Sequence, residues 1–330
     1  MRPPKNVKKT LVLASVILII LMNMIAGFHA YKFTHFAKTG IKKTVNPAKL
    51  SLGEKIEALI IGVDIARPAN SFLPSQPYET IKLQSNKEIE CWSIKSKKSK
   101  GTVILFHGFI GQKSTMIDKS DACLGLGYNT LLVDFMGSGG SEGNQTTIGF
   151  FEANQVKTCV DYLISKGEKN IILFGTSMGA VAVMKAVADF KVKPKAIILE
   201  CPFGSMYQTV CARFKIMGVP TFPMAGLLVL WGGLENGFWA FGHNPSEYAK
   251  SIDCPTLLMY GARDERVSRG ETDEILANLN TRKQLKIYQR AGHENYLTKY
   301  EAEWTRDIRE FLNEQKTARI WISINNLNDL

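Results

Sequence analysis

Residues 171–179, with the sequence IILFGTSMG, decide the fold of this chain. The first four residues are apolar and predict a buried strand, and the small and apolar residues after Gly179 predict a helix. Between them, residues 175–179 form a G-x-S-x-G pattern in the strand–turn–helix context that makes this pattern specific. Such a sharp turn lifts its serine above the sheet, where the helix N-terminus favours developing negative charge. Ser177 is therefore the candidate nucleophile.

Short apolar runs recur on both sides of this stretch and alternate with amphipathic helical segments. Continuous apolar runs are typical of strands buried on both faces. Their alternation with helices predicts an α/β fold with a mostly parallel, doubly wound sheet and helices on both faces. A hairpin around residues 85–87 precedes this sheet, and a Met-, Phe- and Trp-rich segment at about residues 203–250 predicts a small helical insertion. The predicted strands are 80–83, 88–94, 102–106, 130–134, 171–174, 196–199, 256–260 and 285–288, and the clearest predicted helices are 151–165 and 179–189.

A serine hydroxyl becomes a good nucleophile only when a base takes its proton. Among the five histidines, His293 directly follows the last predicted strand and is the candidate base. The base needs a carboxylate that holds its tautomer, and Asp264 stands just after the strand at 256–260, with the adjacent Glu265 as its rival. The chain order Ser177, Asp264, His293 is one of the known orders of a serine triad.

Two backbone N–H groups are needed to bind the oxyanion of a tetrahedral intermediate. One candidate is Met178, the residue after the nucleophile, and the other is Phe109, at the end of His107-Gly108-Phe109. His107 is expected to hold this loop in place. The glycine-rich residues 134–143 also follow a strand, but they lack both a dinucleotide-binding pattern and a P-loop lysine. They predict a turn beside the site, and no cofactor is expected.

The net charge of +11 first suggests a nucleic-acid-binding protein, but its distribution argues against one. Residues 1–53 carry nine Lys or Arg and no acidic residue, so the rest of the chain is close to neutral. These charges flank an apolar segment, as in proteins that contact anionic lipid headgroups. Nucleic-acid binding, which requires a folded basic patch, is not expected.

The uncharged residues 10–28 are long enough for one transmembrane anchor, at about 28 Å of helix. A cleaved signal peptide is the rival interpretation, but Phe28-His29-Ala30 places a large aromatic where a cleavage site needs a small residue. A buried soluble helix is the third. The predicted organisation is a basic tail at 1–9, the anchor at 10–28, a linker at 29–78 and a catalytic domain at 79–330. The positive charge of the N-terminal amine favours a cytoplasmic N-terminus and therefore an extracytoplasmic catalytic domain.

The cysteines are scattered and form no C-x-x-C pair, so we expect buried thiols and no metal site. They are Cys91, Cys123, Cys159, Cys201, Cys211 and Cys254.

Together, these motifs resemble the α/β-hydrolase superfamily, within it the BEM46/ABHD13-like and serine-aminopeptidase-like (S33-type) hydrolases, over about residues 79–314. They are HGF (107–109), DFMGSGGSEG (134–143), GTSMG (175–179), ECPF (200–203), GARDERV (261–267) and AGHENY (291–296). Met136 stands where the family's glycine-rich turn has an arginine. The insertion is shorter than the lids of typical lipases, so no large cap is implied.

The resemblance implies a serine hydrolase that cleaves an ester or thioester through an acyl-enzyme. A small-molecule or lipid-like acyl substrate and the membrane are the expected partners. The resembling families include aminopeptidases, so a serine peptidase is the first alternative. A catalytically silent, membrane-tethered binding protein is the second, and the presence of all three triad residues argues against it.

Overall fold

The computed structural model describes residues 5–40 and 51–328, with side chains described only in part within 51–60 and not described at 5–6 and beyond 314. Four of the basic residues counted above, Arg2, Lys42, Lys43 and Lys49, lie outside the described residues. The chain forms two compact units: residues 1–66 with 206–243, and residues 67–205 with 244–330.

The second unit contains one eight-stranded sheet within the described residues, in the order β1-β2-β4-β3-β5-β6-β7-β8. Strands β1 and β2 form the predicted hairpin and pair antiparallel, β2 joins β4 antiparallel, and all later neighbours pair parallel. The prediction of a mostly parallel sheet is therefore confirmed. The strands are β1 (Tyr78–Gln84), β2 (Glu88–Ile94), β3 (Thr102–Phe106), β4 (Asn129–Val133), β5 (Ile171–Thr176), β6 (Ala196–Glu200), β7 (Thr256–Gly261) and β8 (Lys283–Tyr288).

Strands β3 to β7 are buried along most of their length, as their mostly apolar runs predict. The helices, in chain order, are α1 (Lys5–Thr34), α2 (Leu52–Ile61), α3 (Ile117–Gly125), α4 (Glu152–Ser165), α5 (Met178–Phe190), α6 (Met206–Met217), α7 (Met224–Asn236), α8 (Pro245–Tyr248), α9 (Arg269–Asn278), α10 (Tyr296–Lys299) and α11 (Glu301–Asn328). One core cluster joins the sheet to the C-terminal helices around Trp304, whose side chain is fully buried.

The first unit combines the N-terminal apolar helix with the helices of the insertion. Helix α1 is longer than the predicted anchor, and α6 and α7 occupy most of the segment expected at 203–250. The second unit begins at Arg67, within the predicted linker. The boundaries proposed for the anchor, linker and catalytic domain stay predictions.

Candidate active site

Ser177 lies on the sharp turn between β5 and α5, with backbone φ 52° and ψ −113°. This conformation is costly for a residue with a side chain, and it occurs mainly where the surroundings enforce it. The neighbouring backbone leaves no room for side chains at the two glycines. A Cβ on Gly175 would lie 2.4 Å from the Ala180 nitrogen, and one on Gly179 would lie 2.4 Å from the Phe106 oxygen. Both glycines of G-x-S-x-G are therefore required by packing.

The structure brings Ser177, His293 and Asp264 together from three separate loops. The Nε2 atom of His293 is 3.0 Å from Ser177 Oγ, and its Nδ1 atom is 2.7 Å from Asp264 Oδ2. A carboxylate can only accept a hydrogen bond, so Nδ1 carries a proton, and when the ring is neutral Nε2 accepts from the serine hydroxyl. This is the arrangement in which a neutral imidazole can take the serine proton.

Asp264 is oriented by backbone groups of its own loop. Its Oδ1 accepts hydrogen bonds from the N–H groups of Arg266 at 2.8 Å and Val267 at 3.0 Å, which leaves Oδ2 for His293. The Asp264 side chain is fully buried, whereas the rival Glu265 is exposed. Of the two acidic residues, Asp264 is the one in contact with the histidine.

The roles of the two acidic residues can be separated by substitution. We expect Asp264→Asn to lower kcat by about 10⁴-fold, because the amide no longer fixes the required histidine tautomer. Glu265→Gln is the matched control, since the same change one residue along alters an exposed side chain. Ester hydrolysis by the two purified variants measures the difference. Equal losses in both variants would exclude Asp264 as the orienting carboxylate.

The sulfur of Cys201 is a neighbour of the triad that the sequence did not reveal. Cys201 is buried directly after β6, and its Sγ lies within 4.8 Å of the ligand atoms of Asp264 and His293. Burial opposes the charged form of His293, but the Cys201 sulfur and the Asp264 carboxylate favour it, and the balance raises the histidine pKa to about 10. The sequence signals were the position of Cys201 after the strand that neighbours β5 and its place in the ECPF motif at 200–203.

We expect kcat/KM for ester hydrolysis to rise with pH as His293 loses its proton, because only the neutral ring can act as a base. The raised pKa of about 10 places this rise in the alkaline range. Cys201→Ala removes a group that raises this pKa, so the rise should move to lower pH. Cys123→Ala, also a fully buried thiol, is the control and should leave the profile in place. An unmoved profile in Cys201→Ala would contradict the assigned influence of the sulfur.

Among the described residues, Cys201, Asp264 and His293 also form a cluster that could hold a metal ion. The 2.7 Å distance from His293 Nδ1 to Asp264 Oδ2 is shorter than the about 3.4 Å expected between tetrahedral ligands at about 2.1 Å from zinc. This pair is spaced for a hydrogen bond and not for shared metal coordination.

The loop after β3 approaches the nucleophile from the other side. A Cβ on Gly108 would lie 3.5 Å from the Ser177 Cβ. The next residue, Phe109, therefore lies near the serine in space. His107 is fully buried and holds this loop: its Nδ1 pairs with Gly108 O at 2.8 Å, and its Nε2 accepts from the Phe135 N–H at 3.1 Å. Burial lowers the pKa of His107, so the ring is neutral, as these contacts require.

The other proposed oxyanion donor, Met178, is the first residue of α5. The first N–H groups of a helix point outwards without a partner within the helix. Its position directly after Ser177 therefore suits an oxyanion donor.

A buried ion pair connects the Phe109 loop to the glycine-rich turn. The Lys113 side chain, fully buried, forms a salt bridge with the fully buried Asp134 and another with Glu90 at 2.7 Å. Asp134 Oδ1 also accepts a hydrogen bond from the Lys113 N–H at 2.6 Å. Trp92 packs under the ammonium, 4.4 Å from ring centroid to Nζ. These contacts hold the loop beside Ser177 in one position.

The same turn is held by an arginine from a distant part of the chain. Met136 is buried and its sulfur contacts Asn86 Nδ2 at 3.6 Å. The guanidinium of Arg67 donates to the carbonyl oxygens of Gly139, Ser141 and Gly143, at 2.9, 2.5 and 3.0 Å respectively. An arginine side chain therefore does bind this turn, but it comes from Arg67 and not from position 136.

A second buried network lies behind the nucleophile. The Glu200 carbonyl accepts from the Ser177 N–H at 2.7 Å, and its carboxylate accepts from Thr176 Oγ1 at 2.9 Å and Trp304 Nε1 at 2.7 Å. Lys119 lies 3.6 Å from the carboxylate and donates to Asn295 Oδ1 at 2.7 Å. Asn295 is two residues from His293, so the network ties the nucleophile turn to the histidine loop.

Comparison with solved structures decides the fold family. An esterase of Pyrococcus furiosus covers 75% of this chain and 96% of its own, with a TM-score of 0.64 and 24% identity. An esterase of Exiguobacterium antarcticum covers 71% and 100%, with a TM-score of 0.55 and 17% identity. By fold, this chain is an α/β-hydrolase.

Sequence comparisons agree with this α/β-hydrolase assignment. The Hydrolase_4 family model, described as serine aminopeptidase, S33, matches residues 97–229. The uncharacterized protein YqkD of Bacillus subtilis is 24% identical over 70% of this chain and 77% of its own length. An uncharacterized protein of Mycobacterium tuberculosis is 26% identical over 68% of this chain and 75% of its own. The resemblance to the superfamily is confirmed.

Proposed function

We propose that this α/β-hydrolase is a serine hydrolase of the carboxylesterase or acyl-hydrolase type, cleaving an ester or thioester through an acyl-enzyme. The observation that carries this proposal is the continuous hydrogen-bonded chain from Ser177 Oγ through His293 to Asp264, at 3.0 and 2.7 Å. The esterases among its structural relatives support the same reaction type.

In the first half-reaction, His293 Nε2 takes the hydroxyl proton while Ser177 Oγ attacks the substrate carbonyl carbon. Asp264 stabilises the resulting imidazolium without taking its proton. The backbone N–H groups of Phe109 and Met178 bind the oxyanion. The intermediate collapses, the bond to the alcohol or thiol breaks, and His293 returns the proton to the leaving group.

In the second half-reaction, water replaces the leaving group. His293 takes a proton from water as the water oxygen attacks the acyl carbon of the Ser177 ester. The second tetrahedral intermediate collapses, releases the carboxylic acid and returns the proton to Ser177 Oγ.

Labelling with a fluorophosphonate tests this proposal. This probe phosphonylates only an activated serine, so the folded chain should be labelled at Ser177 and the heat-unfolded chain should not. Peptide mapping by mass spectrometry locates the adduct. A folded chain that resists the probe would be evidence for the silent binding protein.

The peptidase alternative is favoured by one observation, the serine aminopeptidase description of the matching family model. A panel of acyl esters and thioesters of increasing chain length, run beside aminoacyl amides, separates the two. We expect the highest kcat/KM with esters or thioesters. Faster turnover of aminoacyl amides would replace the esterase proposal by the peptidase one.

We further propose that α1 anchors the chain in a membrane. Residues 7–34 form a 28-residue helix with an 18-residue window of mean hydropathy 2.6, and only 11% of that window is buried within the protein. At about 1.5 Å per residue it exceeds the about 30 Å of a bilayer core. Extraction of the full-length chain from membranes by alkaline carbonate would contradict the anchor.

A further inference from the structure

The insertion contains a long uncharged run that the catalytic proposal does not use. Residues 216–234, IMGVPTFPMAGLLVLWGGL, are 19 residues without a charge, bounded by Lys215 and Glu235. They include the end of α6, a loop and almost all of α7. A helix on the surface of a soluble protein normally has a polar face, and α7 has no strongly polar residue before Glu235. Its surroundings must therefore be apolar.

Helix α7 packs beside α1 and runs in the same direction. Trp231 Nε1 donates to Asn23 Oδ1 at 3.1 Å, and further along both helices Asn236 Nδ2 donates to Thr34 Oγ1 at 3.2 Å. The Met224 end of α7 therefore points towards the middle of α1. It lies about 10 Å beyond Trp231, at about 1.5 Å per residue.

The contact at Asn23 sets the depth of α7 in a membrane. Asn23 is nine residues before Lys32, or about 13 Å along the helix. An amide in hydrocarbon is costly unless it is hydrogen-bonded. Asn23 Nδ2 donates to Ile19 O at 2.8 Å, and the indole of Trp231 satisfies its oxygen. If α1 spans the bilayer, Trp231 has to lie at the same depth as Asn23.

The distribution of charged and aromatic residues fits this placement. At the C-terminal end of α1, Lys32 pairs with Asp64 at 3.2 Å and the Arg213 guanidinium lies 4.7 Å from the Phe33 ring centroid. The opposite end of α7 is apolar, and Phe222, in the loop before it, is 84% exposed. Trp239 is also exposed, and amphipathic aromatic rings are typical of membrane–water interfaces.

We propose that the hairpin formed by α6 and α7, residues 206–236, enters the lipid bilayer beside α1. Its tip, residues 218–223, lies in the hydrocarbon, and the charged end of α1 lies at the headgroups. The proposal rests on the proposed anchor and adds a second, non-spanning membrane element, continuous with α1. One leaflet of the lipid bilayer covers the exposed apolar surface of this hairpin.

Tryptophan quenching by brominated lipid tests the hairpin in the full-length chain. Phe222→Trp places an indole at the tip, and Ile164→Trp places one at a matched exposed position, 57% exposed on α4. Both variants are reconstituted in phosphatidylcholine vesicles with and without brominated acyl chains. We expect the emission added at position 222 to be largely lost in brominated vesicles, and the emission added at position 164 to be retained.

The outcomes distinguish failure of this inference from failure of the anchor. Carbonate-resistant protein with equal quenching at positions 222 and 164 would overturn the hairpin and leave the anchor intact. If neither brominated lipid nor aqueous iodide quenches the indole at position 222, a second copy of the chain covers it. That result would also overturn the proposed membrane hairpin. Protein released by carbonate would overturn both. As a second measurement, Trp239→Phe should reduce the quenching of the parent chain.

Discussion

Ser177→Ala is expected to lower kcat for ester hydrolysis by about 10⁶-fold, because no other group replaces the attacking oxygen. Labelling by a fluorophosphonate should be lost completely. The packing of the turn should be unchanged, since the alanine retains the Cβ and removes only the hydroxyl that faces His293. Turnover of p-nitrophenyl esters and gel fluorescence of the labelled protein measure the two effects.

Ser165→Ala is the matched control for this prediction. Ser165 is an exposed serine at the end of α4 whose hydroxyl donates to Tyr162 O. Its loss should leave both labelling and turnover at the level of the parent chain. Retained ester hydrolysis in Ser177→Ala would show that another residue is the nucleophile.

Lys113→Met is expected to lower the free energy of unfolding by about 3–5 kcal/mol, because it leaves a buried carboxylate without its partner. Asp134 has a fully buried side chain, and Glu90 also loses its contact with the ammonium. Methionine preserves most of the volume, so the loss comes from the uncompensated charge and not from a cavity. Denaturant unfolding in detergent micelles, followed by tryptophan fluorescence, measures the change.

Lys157→Met provides the comparison. Lys157 pairs with Asp161 on the same helix, but both side chains are about half exposed. Such surface pairs contribute about 0–1 kcal/mol, so this variant should unfold almost like the parent chain. Similar losses in the two variants would contradict the stabilising role assigned to the Lys113–Asp134 pair.

The elements of the sheet could be predicted because each depends on local sequence. The mostly apolar run at 102–106 matches β3 as predicted, since a strand buried on both faces is apolar at most positions. The end of β5 was less predictable. Thr176 continues the strand as the register partner of Glu200, and its hydroxyl donates to that carboxylate. Glu200 is 24 positions later in the chain, so no local pattern reveals this contact.

The candidate triad could also be proposed from local patterns, because this fold presents its reacting groups on loops at the ends of strands. Ser177, Asp264 and His293 each follow a predicted strand directly. Their catalytic roles remain a proposal until the substitutions are measured. The sequence leaves the adjacent Glu265 as a rival of Asp264, and the structure places Asp264 against the histidine.

The residues that surround the triad could not be predicted in this way. Cys201, Lys119 and Arg67 act on groups that are many positions away in the chain, and each has an ordinary local sequence. A buried lysine such as Lys119 even contradicts the usual pattern, since lysine is almost never fully buried unless it is paired. Its partners Glu200 and Asn295 are known only from the fold.

By itself, the sequence determined the alternation of strands and helices, the turn that carries Ser177 and the apolar character of the first helix. These features depend on hydrophobic periodicity and on glycines at positions where the neighbouring backbone leaves no room for a side chain. Only the tertiary structure decided that the Cys201 sulfur adjoins His293, that Arg67 supports the glycine-rich turn and that Trp231 satisfies Asn23. The physical reason is that such contacts join residues distant in the chain, and their energies exist only after burial has removed the competing water.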